Sequence, residues 1–370
     1  MTAAPAEPRT QPEDGQPLAR ARERLWAAVI DGDEYAAVDA VRDSLDSGLD
    51  AETVLIDVIG GVQLRVGAEW AANRVTVAQE HAATAINERA VAALAGRDRA
   101  PVSRGRVTVT CVDGEWHALP ARLVAEVLRL RGWQVDYLGA QTPTPHLIAH
   151  LHRTNPQAVL LSSSLPTHLP AAHAAVTACQ AAGVTVLAGG AAFGPDGRYA
   201  RLLGADHWAV DARGAADVLA AGPSRPRSAA SRQAVDDLPH LMDQEYTLVV
   251  RSRHQLVKQT LTDLEERFPA MARYDDAQRE RTAEDLAHIV GFLGTALYVD
   301  DARLFDTFLV WTADVLAARG VPVHSLTTGL DVLGRLLRDF PRAAGLLEQG
   351  AAALAGHRSP AAPPAHGGGA

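Results

Sequence analysis

The stretch Val107-Thr108-Val109-Thr110-Cys111-Val112-Asp113-Gly114-Glu115-Trp116-His117-Ala118-Leu119-Pro120 decides how this chain folds. Val107 to Val112 is a short β-branched apolar run, the composition of a buried strand. A polar loop carrying a histidine follows, and a helical pattern takes over at Ala121 to Leu130. Strand, loop and helix open an α/β unit. In open α/β sheets ligands collect outside the carboxyl ends of the strands, where this loop sits. His117 is therefore placed to reach outward and ligate something large.

Working outward, the same alternation continues through residues 101–220. Candidate strands are 107–112, 134–137, 158–161, 185–188 and 207–209, and candidate helices are 120–131, 145–153, 169–182 and 197–203. This order implies a parallel sheet covered on both faces. No GxGxxG or Walker sequence occurs, so nucleotide binding through a glycine loop is not supported.

Upstream, residues 19–100 read as a helical bundle. Leu25, Val29, Tyr35, Val38, Val41 and Leu45 keep helical spacing, and so do Val54, Leu55, Val58, Ile59, Val62 and Val66 in a second run from Glu52 to Trp70. Asn73-Arg74 breaks that run, and Thr76 with Gln79 fits a capping box that starts the next helix, ending near Leu94. Residues 1–18 are too poor in apolar groups to order themselves, and they leave no room for a helix-turn-helix head. Downstream, residues 221–240 have linker composition. Residues 241–355 are helical again, with breaks at Pro269, Asp300-Asp301, Gly320 to Pro322 and Pro341. The tail, 356–370, is expected to be disordered.

The chain has 370 residues, 47% of them apolar, and a net charge of −9, so it carries no electrostatic footprint for nucleic acid. The absence of a signal region or an 18-residue apolar span leads us to expect a soluble cytoplasmic protein that does not engage a membrane. Cys111 and Cys179 form no CxxC pair, so a disulfide framework or zinc site is not expected. They read as buried small residues. His146, His150, His152, His168 and His173 read as surface helix positions.

Trp70 is followed by nine residues and then Glu80-His81. Together with Glu115-Trp116-His117, this resembles the cobalamin-binding module of the light-sensing MerR-family repressors, which carries W-x9-EH on its bundle and E/D-x-H-x-x-G on its α/β domain. Further stretches are similar in order. They are Tyr137 to Ala140 with Pro143, Ser162-Ser163-Ser164-Leu165, Leu187 to Phe193 with Gly189-Gly190, and Leu203 to Asp206 with Ala209 and Asp211. The resemblance spans roughly residues 20–220. It implies a Rossmann-like domain in which His117 holds cobalt from below, with Trp116 beside it. It also implies that Trp70, Glu80 and His81 face the upper side of adenosylcobalamin, and that Ser162, Ser163 and Leu165 meet the cofactor's displaced tail. Gly189 and Gly190 would let the backbone approach a bulky ligand. An imidazole suits cobalt, and either Asp113 or Glu115 would orient its ring. Two positions depart from the pattern. Pro120 stands where the motif has glycine, and Ala71 stands where the repressors can place a second, light-state histidine.

The C-terminal helices resemble a globin-like or phycobilisome-like sensor fold, and the combination resembles the photocobilins. This implies a biliverdin site built from His288, Phe292 and Trp311, with Phe308 alongside and Arg303 or another arginine on the propionates. Core packing without a ligand accounts for the same residues. The expected function is a light sensor in which photolysis of the cobalt–carbon bond changes conformation or oligomeric state. With no output enzyme read in the chain, the signal would pass to a separate partner, from a homodimer. The alternatives are a corrinoid carrier protein of a methyltransferase system and a ligand-free interaction scaffold. The fold class expected is thus a helical bundle, then a Rossmann-like parallel sheet, then an all-α globin-like segment.

Overall fold

The computed structural model of the protein describes residues 16–95, 101–222 and 243–357. Most of the expected disordered N-terminus, linker and tail lies outside these residues. Helix α1, Gln16–Ile30, starts inside the segment expected to be disordered, because Leu18, Ala21 and Leu25 begin an apolar stripe earlier than composition suggested. The chain falls into two compact units, residues up to 68 with 75–101, and residues 69–74 with 102 onward.

The first unit is a bundle of α1, α2 (Glu34–Asp46), α3 (Gly61–Ala71, up to residue 68) and α4 (Val77–Leu94). Asp33 caps α2 by accepting from the Tyr35 and Ala36 amides. Thr76 and Gln79 form the capping box read from the sequence. Leu25, Val41, Val58, Ile59, Val66 and Val91 are fully or almost fully buried between the helices. Tyr35, placed on the apolar stripe by its spacing, is instead exposed and lies under the Arg89 guanidinium. The run 52–70 is not a plain α-helix. A short α-helical turn, Ala51–Thr53, passes into a π-helical stretch, Val54–Gly60, before α3. The wider winding coincides with an inserted side chain. Arg22 Nε donates to the Asp57 carbonyl at 2.5 Å, and a Cβ at Gly61 would lie 3.1 Å from that same nitrogen.

The second unit contains the sheet. Its strands are β1 (Arg106–Cys111), β2 (Gln134–Gly139), β3 (Ala158–Ser162), β4 (Thr185–Gly189) and β5 (His207–Ala209). They pair in parallel in the order β2-β1-β3-β4-β5. The intervening helices are α5 (Ala118–Leu130), α6 (Thr144–Thr154), α7 (Leu169–Ala181), α8 (Arg198–Leu202) and α9 (Ala212–Ala220). Strands β1 and β3 are buried almost throughout, as a sheet with helices on both faces requires. The chain winds from β1 to β2 on one side and returns to β3 on the other, so the switch point falls between β1 and β3. Register aligns Cys111, Ser162, Gly189 and Ala209 in one row, which brings the loops that follow them to a common edge.

Among the described residues six further helices follow, α10 (Glu245–Arg251), α11 (Arg253–Arg267), α12 (Asp276–Val299), α13 (Ala302–Ala318), α14 (His324–Leu336) and α15 (Pro341–Gly356). All four expected breaks are present. A 3-10 turn starts at Pro269, Asp300 is left-handed before Asp301 caps α13, Gly320 follows α13, and Pro341 opens α15. These helices share one apolar core with the layer over the sheet, where Leu169 and Val176 pack with Ile289, Leu293 and Phe305. Tyr199 O–H donates to Asp301 at 2.7 Å and Arg198 pairs with it at 2.9 Å, tying α8 to the start of α13. Among the described residues no helix is long and apolar enough to cross a membrane.

Candidate functional site

The loop after β1 is built by short backbone bonds. The Val112 amide donates to Ser162 O at 3.1 Å, and the Glu115 amide donates to Val112 O at 3.0 Å, closing a tight turn in which Gly114 has φ +81. The turn drives Glu115 inward, where it is completely buried, and leaves His117 outside with its side chain 47% exposed. Trp116 is 61% exposed beside it, ring centroids 6.0 Å apart.

A buried carboxylate needs compensating donors, and Glu115 has them. Its Oε1 accepts from the His117 amide at 2.9 Å and faces His117 Nδ1 at 2.5 Å. Its Oε2 accepts from the Ser164 and Leu165 amides at 2.6 and 3.1 Å and from Ser163 Oγ at 3.3 Å, and faces His168 Nδ1 at 3.2 Å. Burial alone would push this carboxyl up. The hydrogen bonds from His117, from His168 and from the loop amides outweigh it and hold the group far below the usual carboxylate range. Glu115 is therefore ionised and acceptor-only, so the proton on the His117 ring belongs on Nδ1. Nε2 then carries the lone pair, the arrangement that a metal-binding imidazole needs. The orienting residue is Glu115; Asp113, the other candidate, is exposed.

His168 corrects the sequence reading, which placed it among surface histidines. It sits just after β3, and the register that brings the β3 exit beside the β1 loop carries it onto Glu115. Its signal was its position a few residues beyond the Ser162–Ser164 strand end, the same kind of place that His117 occupies after β1. His150 and His173 are likewise partnered, with Asp136 at 3.2 Å and with Tyr298 O–H at 2.6 Å.

The serine and glycine loops complete the edge. Ser162 and Ser163 are buried at the end of β3, while Leu165 is partly exposed. Gly190 has φ +101, and a Cβ there would stand 2.3 Å from Ser163 O, so any side chain would displace the backbone that presents donors to Glu115. At Gly189 a Cβ would meet Ala209 O at 3.3 Å. Cys111, behind His117, is buried, and burial pushes its thiol up to about 12.

In the bundle, Glu80 lies in the first turn of α4 and His81 beside it, its Nδ1 2.9 Å from the Glu80 carboxylate. A directional chain of side chains ends on that carboxylate. Asn87 donates to Gln63 at 2.7 Å, Gln63 to Thr84 at 2.9 Å, and Thr84 to Glu80 at 3.2 Å. Asn87 is fully buried.

Trp70 belongs to the second unit. Its ring lies 6.2 Å from Trp311, which lies 6.5 Å from Phe308, which stacks on Phe292 at 3.8 Å. Residues that the sequence assigned to two separate pockets thus form one aromatic row. Because Phe292 and Phe308 stack on each other, no flat ligand lies between those two rings; only the outer faces of the row remain to contact one. His288 is exposed one turn before Phe292, and Arg303 pairs with Asp301.

The donor set fits a corrinoid. The ring of His117 is partly exposed, has its tautomer set by a buried carboxylate, and stands at the strand edge shared with the Ser162–Leu165 and Gly189–Gly190 loops. Comparison with known proteins agrees. Residues 105–219 match the B12 binding domain family, and residues 21–95 match a second family described as B12 binding domain. The HTH-type transcriptional repressor CarA of Myxococcus xanthus is 31% identical over 166 residues, 44% of this chain and 54% of the repressor. The chain thus spans about half the length of that curated relative. Solved structures with some likeness include the monomethylamine corrinoid protein of Methanosarcina barkeri, at 19% identity, 54% of this chain, 97% of that one and a TM-score of 0.48. A cobalamin-binding protein of Desulfitobacterium hafniense has 20% identity, 53% and 96% coverage and a TM-score of 0.30. The two domain matches, on a histidine site of matching chemistry, identify a cobalamin-binding module within residues 21–219.

Proposed function

We propose that this chain is a light sensor that binds adenosylcobalamin, with His117 as the lower ligand to cobalt. The observation that carries the reading is the Glu115–His117 contact, 2.5 Å from a fully buried carboxylate to Nδ1. A metal-ligating imidazole commonly donates its other ring N–H to a carboxylate that fixes the tautomer, and Glu115 is placed to accept it. Light sensing, as distinct from cobalamin binding, draws its support from Trp70, Glu80 and His81 at W-x9-EH spacing and from the similarity to CarA.

Adenosylcobalamin, when bound, supplies a cobalt–carbon bond that visible light breaks. The chain's own residues have separate tasks. His117 would hold the cobalt through the Nε2 lone pair, with Glu115 keeping the ring turned and its proton on Nδ1. Gly190 keeps Ser163 where it supports Glu115. The Asn87–Gln63–Thr84 chain fixes the Glu80 carboxylate within the bundle. The proposal extends to biliverdin against the outer faces of the Phe292–Phe308–Trp311 row, with His288 alongside. It also includes a homodimer whose change in packing is read by a separate protein.

The test is reconstitution in the dark with adenosylcobalamin and, separately, with biliverdin, followed by desalting, absorbance spectra before and after illumination, and gel filtration. The proposal expects retained cobalamin and a spectrum that green light changes. Retained cobalamin with an unchanged spectrum, together with methyl transfer from a methyltransferase partner, would instead make the chain a corrinoid carrier. A colourless protein would make it a scaffold.

A further inference from the structure

Residues 69–74, at the end of α3, belong to the second unit and are anchored within it. The helix ends in a Schellman arrangement. Asn73 is left-handed at φ +58, its amide donates to Trp70 O at 3.0 Å, and the Arg74 amide donates to Glu69 O at 2.8 Å. The carboxyl end of α13 meets it there. Two helix carboxyl ends carry partial negative charge and repel each other unless a cation lies between them. Arg319, immediately after α13, fills that role. Its guanidinium donates to Trp70 O at 3.2 Å and Ala71 O at 3.4 Å on one helix, and to Val315 O at 3.0 Å on its own. It also lies over the Trp70 ring at 4.9 Å. Asn73 Nδ2 returns a bond to Ala318 O at 3.3 Å. Trp311 also neighbours the Trp70 ring, 6.2 Å between centroids, at one end of the aromatic row that runs into α12.

We propose that Arg319 and Trp311 are positioning residues for Trp70, and that α13 is the element through which the C-terminal helices register a change at that tryptophan. This rests on the reading of Trp70 as an upper-surface residue of the cobalamin module. A lysine cannot replace Arg319, because the contact needs a planar fork that stacks and reaches two carbonyls at once. Any displacement of Trp70 breaks the stack, uncovers the two carbonyls, and leaves the two helix ends facing each other without a cation between them. A local event at one ring thereby becomes a change at the end of a seventeen-residue helix.

The experiment is hydrogen exchange on the full chain, wild type against Arg319→Lys and Trp311→Ala, first without cofactor and then loaded with adenosylcobalamin before and after green light. Without cofactor, the 69–74 amides in Arg319→Lys exchange about tenfold faster, the scale of one lost charged hydrogen bond. Unchanged exchange would show that Arg319 does not position this turn, and would overturn the proposal. In the loaded wild type, light raises exchange in 302–320 as well as in 69–81, and both loaded variants lose the change in 302–320. A light response confined to 69–81 would overturn the relay and leave the cobalamin reading standing. No light response in either segment of a loaded protein would overturn both.

Discussion

Replacing Glu115 with glutamine tests the site at the one atom pair on which it turns. The amide must put its NH2 where one carboxylate oxygen now sits. At Oε2 it would face the Ser164 and Leu165 amides, which are backbone donors and cannot change role. The amide oxygen therefore takes that side, and the NH2 faces His117. There it meets the His117 amide, which loses its acceptor, and Nδ1, which must now accept. The ring proton moves to Nε2, the nitrogen required for cobalt. Changes in such orienting groups typically lower metal affinity by about 10–100-fold, which corresponds to about 1.4–2.7 kcal/mol. An absorbance titration with cobalamin reads this directly, with His117→Ala as the reference for loss of the ligand. If Glu115→Gln bound as tightly as wild type while His117→Ala did not, the tautomer argument would be wrong. Glutamine also removes an ionised acceptor from a buried site, so the same variant loses about 1–3 kcal/mol of stability.

The pH dependence of that loss has a definite sign. The folded-state pKa of Glu115 is depressed, so its contribution is complete above the unfolded carboxylate value of about 4.3 and fades as pH falls toward the lower folded value. The gap between wild type and Glu115→Gln in urea unfolding should narrow from about pH 5 toward about pH 3; a gap that widened over that range would contradict the assignment. Gly190→Ala places a Cβ 2.3 Å from Ser163 O at a positive φ, and a cost of about 3 kcal/mol or more is expected in the unfolding midpoint. Burial pushes the Cys111 and Cys179 thiols up to about 12, so a maleimide at neutral pH should label neither until the protein is unfolded. Native labelling of either cysteine would reopen a covalent route for a bilin.

The sheet was legible because its strands are short apolar runs separated by turn residues, and the expected 134–137 and 185–188 differ from the observed β2 and β4 only by a glycine or so at the end. Those end residues are where strand becomes site, and local pattern does not say which way they turn. Helix α9 had no clear signature in Ala212–Ala220, a segment rich in small residues. The π-helical stretch was invisible because Val54, Leu55, Val58 and Ile59 keep ordinary helical spacing; its companion is Arg22, 35 residues away. His117 was legible from its place after a strand. The choice of Glu115 over Asp113 was not, since both lie in the same loop and only the turn at Gly114 sends one inward. His168 and Arg319 reach their partners across 53 and 249 residues, through sheet register and helix packing that no local stretch encodes.

The most direct measurement is electron paramagnetic resonance of the cobalt(II) form, prepared from protein grown with nitrogen-15 histidine and loaded with unlabelled cobalamin. If His117 is the axial ligand, the three-line nitrogen splitting seen with unlabelled protein becomes a two-line pattern in the labelled one, and His117→Ala removes the difference. A three-line pattern that persists in the labelled protein would mean that the cofactor's own base holds the metal, and would contradict the account.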